Sequence, residues 1–137
     1  MPKITHVLET SLYAKDLAVT ARFYAQVLGL SAMLETPRLV AYDAGNGSVL
    51  LIFQDGATGE DLTTDEGLIP GHGGKGRLHF ALGITAESLG AWRERLARHE
   101  VPIISETRWR RGGTSLYFHD PDGYVVELAT PGLWANY

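Results

Sequence analysis

Three side chains able to hold a metal ion or move a proton stand at related places along the chain: Glu9, His79 and Glu127. Each lies in a stretch of alternating apolar and other residues, the period of a half-buried strand. Leu8, Thr10 and Leu12 oppose Glu9, Ser11 and Tyr13, while Leu78, Phe80 and Leu82 oppose His79, Ala81 and Gly83. Leu116 and Phe118 oppose Ser115, Tyr117 and His119, and Val126 and Leu128 oppose Val125, Glu127 and Ala129. One face is therefore apolar. The other gathers Glu9, Ser11, Tyr13, His79, Ser115, Tyr117 and Glu127 among small residues. A charge in mid-strand is costly unless it is solvated, paired or bound to a metal. Ala81 and Gly83 leave room beside His79, which suits the lining of a ligand cavity. Two readings of the trio are open: a metal site, or a histidinium hydrogen-bonded between two carboxylates.

The elements that position these residues repeat. A strand over residues 7–13 leads to a helix capped by Asp16, with Leu17, Ala21, Tyr24 and Leu28 on one face and Gly29 at its end. A short strand near 31–34 precedes strands at 39–43 and 49–53, the last two joined by Gly45-Asn46-Gly47. The second half repeats the order: a strand at 78–84, a helix marked by Leu89, Trp92 and Leu96, then extended segments at 101–104, 115–119 and 124–129. Asp120-Pro121-Asp122-Gly123 supplies the second tight turn. The chain reads as one domain: module one at about 4–53, a linker at 54–76, module two at about 77–130 and a tail at 131–137. Glu9 and His79 are then equivalent, 70 residues apart. Leu51 and Glu127 are equivalent too, each four residues after a turn glycine, Gly47 or Gly123. If the modules pack by pseudo-twofold symmetry, these four positions converge, and three of them can bind a metal.

The segment between the modules carries seven glycines and an acidic stretch at 59–66. It shows no periodicity and reads as a linker or a lid. Its His72 is either a mobile acid/base or an ordinary surface histidine. Arg108, Arg110 and Arg111 form a loop able to grip an anion bidentately, or a solvated one. Tyr117 is an acid or a packed strand tyrosine. Trp134 reads as a packing anchor for the tail.

Composition narrows the function. Hydrophobic residues make up 45% and charged residues 20% of 137, enough for a core without metal or disulfide staples. Cysteine is absent, so thiol chemistry needs an external thiol. A net charge of −4 with no basic stripe argues against nucleic acid. The apolar run Val49-Leu50-Leu51-Ile52-Phe53 is too short to span a membrane, and the first residues lack a signal peptide's apolar segment. A soluble, cytoplasmic protein acting on a small molecule is expected.

The stretch from Leu8 to Leu17, with Phe23-Tyr24 and Val27-Leu28-Gly29-Leu30, resembles the opening of vicinal oxygen chelate proteins. So does Tyr117-Phe118-His119-Asp120-Pro121-Asp122-Gly123-Tyr124-Val125-Val126-Glu127-Leu128. This glyoxalase/bleomycin-resistance/dioxygenase resemblance covers nearly the whole chain and is specific for the fold, not for the reaction. It implies an α+β fold of two βαβββ modules whose mixed sheets curve into a cup. It also implies a metal held by the first strand of each module and the last strand of the second. His79 and Glu127 match that pattern. Glu9 stands where a histidine is usual, and Leu51 at an optional fourth position. One histidine with two carboxylates favours Mn²⁺, Mg²⁺ or Fe²⁺, with Zn²⁺ and Ni²⁺ also acceptable, and argues against an extradiol dioxygenase. By position, Ser11, Tyr117 and the loop arginines resemble groups that hold an anionic substrate in thiol-transferring members; Tyr13 and Ser115 share that wet face. The expected function is a glyoxalase-like metal-dependent lyase, isomerase or thiol transferase, with Glu127, Tyr117 and His72 as candidate catalytic groups. Ser11, Tyr13, Ser115, Arg108 and Arg111 are candidate substrate contacts. An external thiol is a candidate co-substrate. The alternative is a metal-free protein that sequesters a drug-like ligand, with Tyr13, Trp109 and Tyr117 as aromatic lining. Either form is expected as a homodimer.

Overall fold

The computed structural model describes residues 1–137 and divides them into two compact units, 1–75 and 76–137. The first contains β1 (Glu9–Ala14), α1 (Leu17–Gln26), β2 (Ser31–Glu35), β3 (Leu39–Asp43) and β4 (Val49–Gln54). A small hairpin of β5 (Leu62–Thr64) and β6 (Gly67–Ile69) follows. The second contains β7 (His79–Gly83), α2 (Leu89–Arg98), β8 (Ser105–Arg108), β9 (Thr114–His119) and β10 (Val125–Ala129). The sheet orders are β1-β4-β3-β2 and β7-β10-β9-β8. In both, the first strand pairs parallel with the last and the remaining neighbours are antiparallel. The fold is α+β, built of two similar modules. Register confirms their equivalence: Glu9 lies opposite Val49 as His79 lies opposite Val125, and Ser11 opposite Leu51 as Ala81 opposite Glu127.

Local chemistry explains the elements. Asp16 is extended, and its carboxylate accepts from the Val19 amide at 3.2 Å, which opens α1. Leu17, Thr20 and Tyr24 bury its inner face, and Gly29 at φ 71° turns the chain away. Tyr42 donates its hydroxyl to the Ala21 carbonyl at 2.6 Å, fastening sheet to helix. Tyr24, Leu50 and Ile52 form the centre of the first core; Leu96, Leu116, Phe118 and Val126 form that of the second. In the turn before β10, buried Asp120 accepts from the amides of Asp122 and Tyr124, both at 2.9 Å.

Several expectations shift. The strand expected at 101–104 lies at Ser105–Arg108. Pro102 has no N–H to give a ladder, and pairing starts where the Ile104 amide donates to the Tyr117 carbonyl at 2.8 Å. Arg108 therefore ends a strand and does not belong to a loop. The 54–76 segment holds the β5–β6 hairpin, whose three-residue strands are too short to show a period. β1 begins at Glu9, leaving Val7 and Leu8 exposed. Trp134 is 71% exposed; the tail is anchored instead by Tyr137, whose hydroxyl donates to the Ala129 carbonyl at 2.8 Å.

Two predictions follow from these contacts. Asp120→Ala leaves two amides without their acceptor and should cost about 1–3 kcal/mol of unfolding free energy, while Asp120→Asn keeps most of it; chemical denaturation measures both. On the surface, Arg93 of α2 holds Glu106 of β8 through two hydrogen bonds. Its hydrogen bond and charge hold the Glu106 carboxyl below its ordinary value. That stabilisation is complete above the unfolded-state value near about 4.3 and fades as pH falls through the lower folded value. Glu106→Gln should cost at most about 1 kcal/mol near neutrality, with the gap to wild type closing in acid.

Candidate functional site

The parallel register of β7 on β10 decides what His79 can do. Its Nδ1 lies 3.0 Å from the carbonyl oxygen of Val125, its register partner. A carbonyl only accepts, so Nδ1 carries the proton. The other nitrogen, Nε2, lies 3.2 Å from Oε2 of Glu127. In the neutral ring, two lone-pair atoms then face each other. The arrangement is favourable only with a positive charge between them, either a shared proton or a metal cation.

Glu127 is 5% exposed in the middle of β10 and flanked by Ala81 on β7 and Tyr117 on β9. A carboxylate so placed needs donors. Ser115, which is fully buried, donates its hydroxyl to Oε1. Trp109 in turn donates its indole N–H to the Ser115 oxygen at 2.8 Å. This chain fixes Oε1 and leaves Oε2 aimed at His79. Tyr117 lies beside the pair, its ring centroid 6.1 Å from that of His79. Burial, and then the negative charge of Glu127, push its hydroxyl above the ordinary tyrosine value. It is therefore a phenol, and a donor, at neutral pH.

The remaining candidates are distributed as follows. Ser115, a candidate substrate contact, is fully buried and hydrogen-bonded to Glu127. Arg108 and Arg111 are exposed and form no ion pair with a carboxylate. Glu9, Ser11, Tyr13 and His72 belong to the first unit. Glu9 is exposed at the head of β1, and Ser11 is half-buried opposite Leu51. His72 makes its contacts within its own unit. Its Nδ1 is hydrogen-bonded to the Tyr13 hydroxyl at 2.7 Å, and its ring meets Phe53 edge-on at 4.8 Å. Its backbone carbonyl accepts from buried Thr58 at 2.7 Å and its amide donates to the Thr58 carbonyl at 2.8 Å. The sequence reading missed the donor role of Trp109. Its signal was the alternation that turns Ser115 and Glu127 to one face, with an indole six residues before that serine.

The donor set suits a divalent cation in part. Two ligands on neighbouring coordination positions, each about 2.1 Å from the ion, lie about 3 Å apart, close to the 3.2 Å between His79 Nε2 and Glu127 Oε2. Nδ1 is bonded to a carbonyl and Oε1 to a hydroxyl, the outer support that metal ligands usually have. Within the second unit no third His, Asp or Glu joins the pair.

Residues 3–128 match the profile of the Glyoxalase/Bleomycin resistance protein/Dioxygenase superfamily. The crystal structure of a lactoylglutathione lyase from Agrobacterium tumefaciens is similar with a TM-score of 0.88 and 32% identity, over 98% of this chain and 99% of that one. A probable lactoylglutathione lyase from Vibrio parahaemolyticus is 28% identical over 89% of this chain and 88% of its own length. The catechol-2,3-dioxygenase of Bacillus subtilis is 27% identical over 90% of this chain, which spans 41% of that longer protein. With its two equivalent modules and a profile match over nearly all its length, the chain belongs to the Glyoxalase/Bleomycin resistance protein/Dioxygenase superfamily.

Proposed function

We propose that the chain is a glyoxalase-like, metal-dependent enzyme of the lyase or isomerase type, acting on a small substrate with two neighbouring oxygens. The observation that carries this reading is the pair of donor atoms, His79 Nε2 and Glu127 Oε2, held 3.2 Å apart by bonds to their other polar atoms. Similarity to a lactoylglutathione lyase along 98% of the chain supports the reaction class. His79 and Glu127 are the proposed ligands. Glu9 is proposed as a further ligand on the repeat alone, because it holds in β1 the register position that His79 holds in β7. One imidazole with carboxylates is a hard set, suited to Mn²⁺, Mg²⁺ or Fe²⁺ before Zn²⁺ or Ni²⁺.

A divalent cation bound there stabilises negative charge on a substrate oxygen. The chain's own groups do the rest. Glu127 would take a proton from a carbon that bears a hydroxyl and adjoins a carbonyl and return it to the carbonyl carbon, while the hydroxyl proton passes to the former carbonyl oxygen, so one C–H and one O–H bond break, one of each forms and no oxidant is consumed. Ser115 and Trp109 would keep Oε1 fixed, and Oε2, the proposed ligand atom, would have to come off the ion before it could handle the proton. Tyr117, held protonated, donates to the oxygen on which charge develops. The chain has no cysteine, so a substrate that is a thiol adduct takes its sulfur from an external thiol. Arg108 and Arg111 are proposed to meet an anionic end of the substrate, and Ser11 and Tyr13 its polar groups. His72 is proposed as a second proton carrier, its Nδ1 held by the Tyr13 hydroxyl. Homodimeric assembly, frequent in this superfamily, is proposed as well.

Metal analysis of the purified protein tests the reading. About one divalent ion per chain is expected, lost in Glu127→Gln and in His79→Ala. Protein that stays metal-free after exposure to Mn²⁺, Fe²⁺, Ni²⁺, Zn²⁺ and Mg²⁺ would leave the pair sharing a proton and put the ligand-sequestering alternative first. Ser115→Ala should weaken metal affinity roughly tenfold or more, and Trp109→Phe should act in the same direction; chelator competition measures both.

A further inference from the structure

The two units differ at one equivalent place, on the helix side of each sheet. In the second unit, Arg93 of α2 crosses to Glu106 of β8 and pairs with it bidentately. Register fixes the counterparts in the first unit. Glu106 lies opposite Leu116, which lies opposite Leu128. Glu35 lies opposite Val40, which lies opposite Ile52. Glu35 is thus the equivalent of Glu106. The two helices have ten residues each, with Tyr24 and Leu96 as their deepest positions, so Ala21 stands where Arg93 does.

The arginine is missing and its carboxylate remains. Glu35 has no ion-pair partner. A cavity of about 710 Å³ opens between α1 and the end of β2, against about 330 Å³ beside Arg93 in the second unit. Its floor is apolar, formed by Ala21, Ala25, Val40 and Tyr42. Tyr42 is 2% exposed, and its hydroxyl is pushed up by burial and then by the charge of Glu35. Besides Glu35 the charged lining is Arg22 and Asp16, a net charge of −1 from one cation and two anions. Asp16 is already occupied in capping α1. The volume falls in the ordinary range of small-molecule sites.

We propose that this groove of the first unit binds a small molecule bearing a guanidinium or ammonium head on a short apolar stem. The head takes the place on Glu35 that the Arg93 guanidinium takes on Glu106, and the stem lies along Ala21 and Ala25. The groove belongs to the first unit and the His79–Glu127 pair to the second, and the proposal does not depend on the activity proposed for that pair.

The probe is n-butylguanidinium, titrated into the full chain and followed by amide chemical shifts, with n-butylurea as the neutral analogue. Saturable shifts are expected at Ala21, Ala25 and Tyr42 for the cation and not for the urea. Glu35→Gln, an exposed position that should fold normally, is expected to weaken binding roughly tenfold. Ala21→Arg should abolish binding by supplying the missing guanidinium in cis, while Glu127→Gln should leave it unchanged. Equal binding of the urea, or cation binding indifferent to Glu35→Gln, would overturn the proposal. So would the absence of saturable shifts at the groove.

Discussion

The candidate centre depends on one register: β7 lying parallel to β10 with His79 opposite Val125. Parallel strands cannot be joined by a tight turn, so the chain must cross over, and α2 with two further strands fills that crossover. The register does two things at once. It presents the Val125 carbonyl to Nδ1 of His79, which sets the tautomer, and it places Glu127 two residues on, where its carboxylate reaches Nε2. A slip of one residue would turn Glu127 into the apolar core and break both relations. The apolar face of β10, with Val126 and Leu128 fully buried, is what forbids that slip.

The same frame serves two different ends. In the first unit the equivalent of Glu127 is Leu51, and no polar chain forms around it. The first unit instead gathers Tyr13, Phe53 and His72 on a hydrogen bond and ring contacts, with buried Thr58 holding the loop that brings the histidine in. The duplicated backbone is retained because its hydrogen bonds do not depend on side chains. The side chains of the wet faces are free to diverge because they are not needed for the core.

Much of this was legible beforehand, and the reasons differ by residue. Asp16 and Gly29 announce α1 because a cap and a left-handed residue have local signatures. Strict alternation marks Glu127 as facing away from Val126 and Leu128. The strand at Ser105–Arg108 was misplaced because Ile103 and Ile104 look like strand residues, while what fixes the strand is its pairing with β9, a long-range fact. The donor chain from Trp109 through Ser115 was not legible, since alternation gives a face but not a partner. The bond between His72 and Tyr13 is not legible for the same reason: a contact across 59 residues leaves no local trace.

The tail makes a last point. The Tyr137 ring lies over Gly83, where an added Cβ would come within 2.6 Å of its hydroxyl oxygen. That hydroxyl bonds to Ala129, the last residue of β10, and comes within 3.4 Å of the carbonyl of Ile84 just past β7. The open end of the parallel ladder, where fraying would begin, is thus closed by a side chain and not by another strand. Opening of β7 from β10 therefore has to release the tail as well. The final residues belong to the cooperative unit that holds His79 in register, and a side chain at position 83 would have to displace an aromatic ring more than fifty residues away in sequence.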